Sequence, residues 1–211
     1  MKLTSLFALA ALLLNSALAT AAPAQQPLLP PPPAPQVDAR GYVLVDYHSG
    51  QTLAGRNANE RVEPASLTKL MTAYIAFTAI HQGRLSLTQT LPVSEKAWKA
   101  EGSRMFIAPN MQVTVDELLH GMIIQSGNDA AITLAEGIAG SEDAFAALMN
   151  QEAQRLGMKN THFMNATGLP HPQHYSTPYD LSLLARAIIR DFPDFYKLYS
   201  IKEYRYNNIT Q

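Results

Sequence analysis

The chain has 211 residues, 16 of them basic and 17 acidic, with a formal net charge of −1. That length suffices for one sizeable core, and the near balance of charge offers no basic surface of the kind nucleic acid requires, so no nucleic-acid partner is expected. With no cysteine, a disulfide framework, a thiolate nucleophile and a lipid-modified cysteine are all excluded.

Residues 1–21 read as an export signal peptide. Lys2 supplies the positive start, Leu6 to Leu14 an apolar run too short to cross a bilayer, and Ala17-Leu18-Ala19, or Ala19 with Ala21, the small-residue cleavage site. Export of this type predicts the periplasm or the outer face of the inner membrane. Residues 22–36 include the contiguous prolines Pro30 to Pro33 and predict a semi-rigid spacer, so folded sequence is expected over 37–211.

Gly41 to Tyr47 and Gln51 to Ala54, separated by His48-Ser49-Gly50, predict a β-hairpin. A polar stretch then leads through Pro64 into Ser66-Leu67-Thr68-Lys69 and an apolar helix that Gly83 ends. Apolar residues at Leu67, Leu70, Met71, Tyr74, Ile75, Phe77 and Ile80 surround most of the helical wheel and predict a helix buried on most sides. Residues three apart share a helical face, so Ser66 and Lys69 can touch. Burial and the positive helix N-terminus would both lower the lysine pKa and suit it to act as a base for the serine. The pattern is loose: a serine cap with a snorkelling lysine satisfies it too.

Further on, Leu85 to Val93 predicts a short extended segment and Ser94 to Trp98 a short helix. Thr114 and Glu117 form a capping box for a helix through Ile124. After Gln125-Ser126-Gly127-Asn128, Asn128 or Asp129 is expected to cap a helix over 130–139, and Ser141 another over 144–156. Residues 159–177 read as a long loop, and Thr177-Pro178 as the start of a helix running to Arg190. Tyr196 to Ser200 and Lys202 to Tyr206 lead into an expected terminal strand. Extended ends around a helical middle indicate an α+β fold, an antiparallel sheet packed against a helical subdomain.

Five stretches together resemble the serine D-alanyl-D-alanine carboxypeptidases, the low-molecular-mass penicillin-binding proteins of the S11 peptidase type. They are residues 61–72 around Ser66 and Lys69, Gly102-Ser103-Arg104-Met105-Phe106, residues 125–130 around Ser126-Gly127-Asn128, Asn165-Ala166-Thr167-Gly168-Leu169, and Tyr175 to Asp180. S-x-x-K followed by a serine-containing tripeptide is part of the signature of penicillin-binding proteins and class A β-lactamases. The resemblance implies a β-lactamase/transpeptidase-like fold, with Ser66 as the acylating nucleophile, Lys69 as its general base, and Ser126 as the hydroxyl that relays a proton to the leaving D-alanine. Asn128 would bind the substrate amide. The implied substrate is a peptidoglycan pentapeptide, with β-lactam antibiotics as inhibitors.

The same resemblance implies a Lys-Thr-Gly triad on a later strand, and neither Lys-Thr-Gly nor Lys-Ser-Gly occurs here. The chain therefore reads as an N-terminal portion, incomplete at the C-terminus of the fold and expected to be inactive by itself, with membrane association expected only through a C-terminal anchor beyond it. Two alternatives stand beside this reading: a class A-like β-lactamase, for which no glutamate is present between Glu152 and Glu203, and a non-catalytic peptidoglycan-binding scaffold. His171-Pro172-Gln173-His174 has metal-compatible spacing without a neighbouring Cys or carboxylate, so a structural or solvent-exposed role is expected, with no metal and no cofactor. The tyrosines at 196, 199, 204 and 206 are expected to pack in the core and sheet.

Overall fold

The helix that follows Lys69 is the centre of the molecule. In the computed structural model, which describes residues 33, 34 and 36–210, it spans Lys69–His81 (α1). The chain divides into two units, Met1–Pro35 and Gln36–Gln211, and all the described elements lie in the second. The expected signal peptide and nearly all of the proline spacer lie outside the described residues.

Before α1, strands β1 (Tyr42–Val45) and β2 (Thr52–Arg56) form the expected antiparallel hairpin, with Tyr42 opposite Arg56 and a bulge between Leu44 and Val45. The Asp46 carboxylate closes its turn by accepting hydrogen bonds from the Ser49 N–H and hydroxyl. Past α1, β3 (Thr90–Pro92) pairs antiparallel with β4 (Gln112–Thr114), and α2 (Glu95–Trp98) sits between them in sequence, capped by Ser94. The capping box at Thr114 and Glu117 forms as expected and starts α3 (Val115–Ile124).

Two helices then cover α1: α4 (Asn128–Ala139) and α5 (Glu142–Arg155), the latter capped by Ser141. Thr177 caps α6 (Pro178–Asp191), which also packs on α1 and on the hairpin. The core is apolar and continuous, with Met71, Phe77, Leu118, Met122, Leu134, Phe145 and Phe163 buried. Each such side chain contributes on the order of 1.5–3 kcal/mol. One polar tie runs through it: the Tyr74 hydroxyl donates to Asp191 at 2.8 Å and accepts from Arg155 at 2.7 Å, joining α1, α5 and α6.

The structure departs from the sequence reading in four places. Leu67 is exposed, because the chain enters α1 through a separate 3-10 turn, Ala65–Thr68, whose outer side it occupies. Neither Asn128 nor Asp129 caps the next helix; Gly127 holds the cap position, and the Asp129 carboxylate turns inward. Tyr196 to Ser200 is helical, because Pro193 at a helix N-terminus restarts a short helix, α7 (Pro193–Tyr196), that runs on as a 3-10 turn. The terminal extended segment is a two-residue ladder, β5 (Arg205–Tyr206) with β6 (Ile209–Thr210). Of the four tyrosines, Tyr206 is buried and Tyr196 exposed.

Candidate active site

Ser66 sits on the 3-10 turn, one residue after Ala65, whose φ of 47° is costly for a residue with a Cβ. In a 3-10 turn, side chains at i and i+3 eclipse one another. Lys69 Nζ consequently lies 3.3 Å from Ser66 Oγ. Ser66 faces solvent, whereas Lys69 is only 6 % exposed.

Burial is the cause that lowers the Lys69 pKa to about 8. Among the described residues the ammonium has one close acceptor in the backbone, the Thr167 carbonyl, which receives a 2.8 Å hydrogen bond from Nζ. No carboxylate pairs with Lys69 among the described residues.

Ser126 arrives from the other side. It stands between α3 and α4 at φ 63°, and the Gly127 N–H donates to the Gly121 carbonyl, so the chain turns sharply and sends the Ser126 hydroxyl back across the groove. Ser126 Oγ donates to Ser66 Oγ at 2.9 Å. The three predicted side chains therefore form one chain of contacts, Ser126 to Ser66 to Lys69.

Asn128, at the first turn of α4, is 6 % exposed and is held by the segment before it. Its side-chain amide donates to the Glu101 carbonyl and its backbone N–H to the Ser103 carbonyl. Asp129 fixes that segment in turn, accepting hydrogen bonds from the Met105 N–H at 2.9 Å and the Ile107 N–H at 3.3 Å.

The floor of the site is a strap, residues 164–168; the sequence marks 165–169 as one of the stretches that carry the resemblance but gives it no role beside Lys69. The Asn165 side chain caps it, accepting from the backbone N–H groups of Thr167 and Gly168. Glu142 on α5 accepts from the Ala166 N–H, and Thr72 on α1 donates to the Ala166 carbonyl. Lys96 pairs with the outer oxygen of Glu142 at 2.8 Å. Gly168, at φ 87°, passes so near the serine turn that a Cβ there would stand 1.8 Å from the Ala65 carbonyl oxygen. The signal in the sequence was Asn165 three residues before Gly168, an Asx-type turn with a left-handed glycine.

His174 is buried beneath the serine turn, in line with a structural role; its neighbour His171 is exposed.

The fold is that of the penicillin-binding class. Penicillin-binding protein D2 of Listeria monocytogenes, solved in an ampicillin-bound form, superposes with a TM-score of 0.75 at 28% identity, covering 84% of this chain and 72% of that one. The D-alanyl-D-alanine carboxypeptidase DacD structure from Francisella tularensis gives a TM-score of 0.83 at 43% identity, covering 88% of this chain and 45% of that one. In sequence, D-alanyl-D-alanine carboxypeptidase DacA of Escherichia coli K12 is 44% identical over 186 residues, 85% of this chain and 46% of the relative. The D-alanyl-D-alanine carboxypeptidase family model of the S11 peptidases matches residues 28–211, and the chain belongs to that family. It spans about half the length of the curated relatives it matches.

Proposed function

We propose that the protein carrying this chain is a serine-type D-alanyl-D-alanine carboxypeptidase that removes the terminal D-alanine from peptidoglycan stem peptides. The observation that carries the reading is the contact chain from Ser126 Oγ through Ser66 Oγ to Lys69 Nζ.

The neutral Lys69 amine has two N–H groups and a lone pair. One N–H goes to the Thr167 carbonyl, and the lone pair can take the Ser66 hydroxyl proton as Oγ attacks the penultimate D-alanine carbonyl. A C–O bond forms, the amide C–N bond breaks, and the proton passes by way of Ser126 to the departing D-alanine nitrogen. Water then hydrolyses the Ser66 ester and restores the hydroxyl. Asn128, with one amide N–H committed to Glu101, keeps its oxygen as an acceptor for a substrate N–H. A β-lactam presents an amide carbonyl of the same kind and would acylate Ser66, an event consistent with the ampicillin-bound Listeria relative.

The substrate lies outside the cytoplasm, which fits residues 1–21 acting as an export signal, residues 22–36 as a spacer and 37–211 as the catalytic portion, with the protein in the periplasm or at the outer face of the inner membrane. Among the described residues no helix is long and apolar enough to cross a membrane. The test is covalent labelling: the full-length protein should take up a fluorescent penicillin at Ser66 and release D-alanine from a pentapeptide, and Ser66→Ala should abolish both. Labelling that survives Ser66→Ala would overturn the assignment.

A further inference from the structure

His174 lies between the serine turn and the strap, and both of its ring nitrogens are engaged. Nδ1 accepts a 3.0 Å hydrogen bond from the Met164 N–H, and Nε2 lies 2.8 Å from Thr68 Oγ1. A ring nitrogen that accepts an N–H carries no proton, so the neutral ring holds its proton on Nε2 and donates it to the Thr68 hydroxyl. The ring also packs edge-on against Phe163, with centroids 5.7 Å apart. One side chain thus bridges Thr68, the residue just before Lys69 in the serine turn, and Met164, the first residue of the strap.

We infer that His174 is a positioning residue for the Ser66–Lys69 pair, acting as a two-sided clamp that keeps the Thr167 carbonyl against Lys69 Nζ. The inference rests on the reading of these two residues as nucleophile and base. Thr72 and Glu142 grip the strap at Ala166 from α1 and α5, and His174 adds a grip at its start that ties it to the serine turn itself. Removing the imidazole leaves the Met164 N–H and the Thr68 hydroxyl without that buried partner. The strap can then lift, and water can reach Lys69.

The charged and titratable groups around the ring are His162 and His171, which act on it electrostatically, and Arg40, Arg61 and Glu63, which with His171 and His174 line a cavity of about 540 Å³. Burial, reinforced by the two neighbouring histidines, lowers the His174 pKa to about 4, so the ring stays neutral while Lys69 titrates.

The test uses two variants of the full-length protein. His174→Phe keeps the ring volume and the packing on Phe163 but has no ring nitrogen, whereas His174→Gln keeps one donor and one acceptor at the end of its side chain. Two quantities are read: the titration of Lys69, followed by NMR of ¹³C-labelled lysine side chains and assigned with Lys69→Arg, and the rate at which Ser66 is labelled by a fluorescent penicillin. In His174→Phe, Lys69 should titrate higher, towards an ordinary lysine, and labelling should slow by at least about tenfold. His174→Gln should bring the rate back to within about threefold of the parent and return the titration towards its value. Should His174→Phe not fold, Thr68→Val removes the other end of the same hydrogen bond at nearly constant volume and is read in the same way.

Unchanged Lys69 titration and labelling in the Phe or Val variant would overturn the inference, as would a Gln variant as impaired as Phe. A parent protein that penicillin does not label would instead remove the acylation reading, and the Lys69 titration would still decide whether His174 acts as the clamp.

Discussion

Ser126 Oγ and Ser66 Oγ are 2.9 Å apart although 60 residues separate them in the chain. Each is delivered by a residue in left-handed conformation, Ala65 at φ 47° for one and Ser126 itself at φ 63° for the other. Neither position is glycine, so the local cost, about 1–2 kcal/mol per residue, is held by the surrounding packing. Strain concentrated at two converging turns is expected where side-chain placement matters more than stability.

That arrangement separates chemistry from stability at Ser126. Both Ser126→Ala and Ser126→Gly delete the relay hydroxyl and should slow penicillin acylation by about 10²- to 10⁴-fold. Only glycine relieves the left-handed backbone, so Ser126→Gly should melt at a higher temperature than Ser126→Ala. Stopped-flow labelling and thermal denaturation of the pair check both halves; equal melting temperatures would show that the turn is not strained.

The second prediction concerns pH. With its pKa lowered from 10.5 to about 8, Lys69 is deprotonated as pH rises through 8. About a tenth of it is a free amine at pH 7, roughly 300-fold more than for an unperturbed lysine. The rate constant for Ser66 acylation at limiting penicillin should therefore rise about tenfold per pH unit below 8 and level off above it. A profile that is flat between pH 6 and 8 would remove Lys69 as the base.

Much of the site was legible because its residues carry their chemistry in their side chains at fixed spacing. Ser66 with Lys69, and Ser126 with Asn128, are of this kind, and the Thr114 capping box is written in two side chains three residues apart. The acceptor for Lys69 was not legible, since the Thr167 carbonyl is backbone, 98 residues away, and any residue type could supply it. The Asp129 reading failed for a related reason. An acid at a helix start is a good cap by local rules, but here the buried Met105 and Ile107 N–H groups compete for its oxygens and win. A proline just past a helix is a stop by local rules, but Pro193 suits the first turn of a new helix equally well.

The strap gives a third prediction, through a comparison of two glycines. Gly168 and Gly157 have similar φ, 87° and 80°, so alanine at either incurs the same left-handed cost of about 1–2 kcal/mol. A Cβ at Gly157 meets nothing within 4 Å, whereas at Gly168 it would stand 1.8 Å from the Ala65 carbonyl oxygen. Gly168→Ala should therefore cost about 1–3 kcal/mol more than Gly157→Ala in denaturant titrations. It should also slow acylation, because the strap must move away from the serine turn; Gly157→Ala should leave the acylation rate close to that of the parent.

The last prediction separates binding from bond making at Asp129. Its side chain is fully buried and accepts from the N–H groups of Met105, Ile107 and Ala130. Asp129→Ala would leave those donors without an acceptor, at a cost of about 2–5 kcal/mol. Asp129→Asn keeps one accepting oxygen but turns an N–H donor towards one of the donors, so it should fall between alanine and the parent. The segment released in either case carries the Glu101 and Ser103 carbonyls that hold Asn128, while Ser66, Lys69 and Ser126 are held by other contacts. Asp129→Asn should accordingly raise the penicillin concentration needed for half-maximal acylation by about tenfold, with a much smaller change in the limiting rate. The opposite split, a collapsed limiting rate with unchanged concentration dependence, would mean that the 101–107 segment supports the reacting groups and not the substrate contact at Asn128.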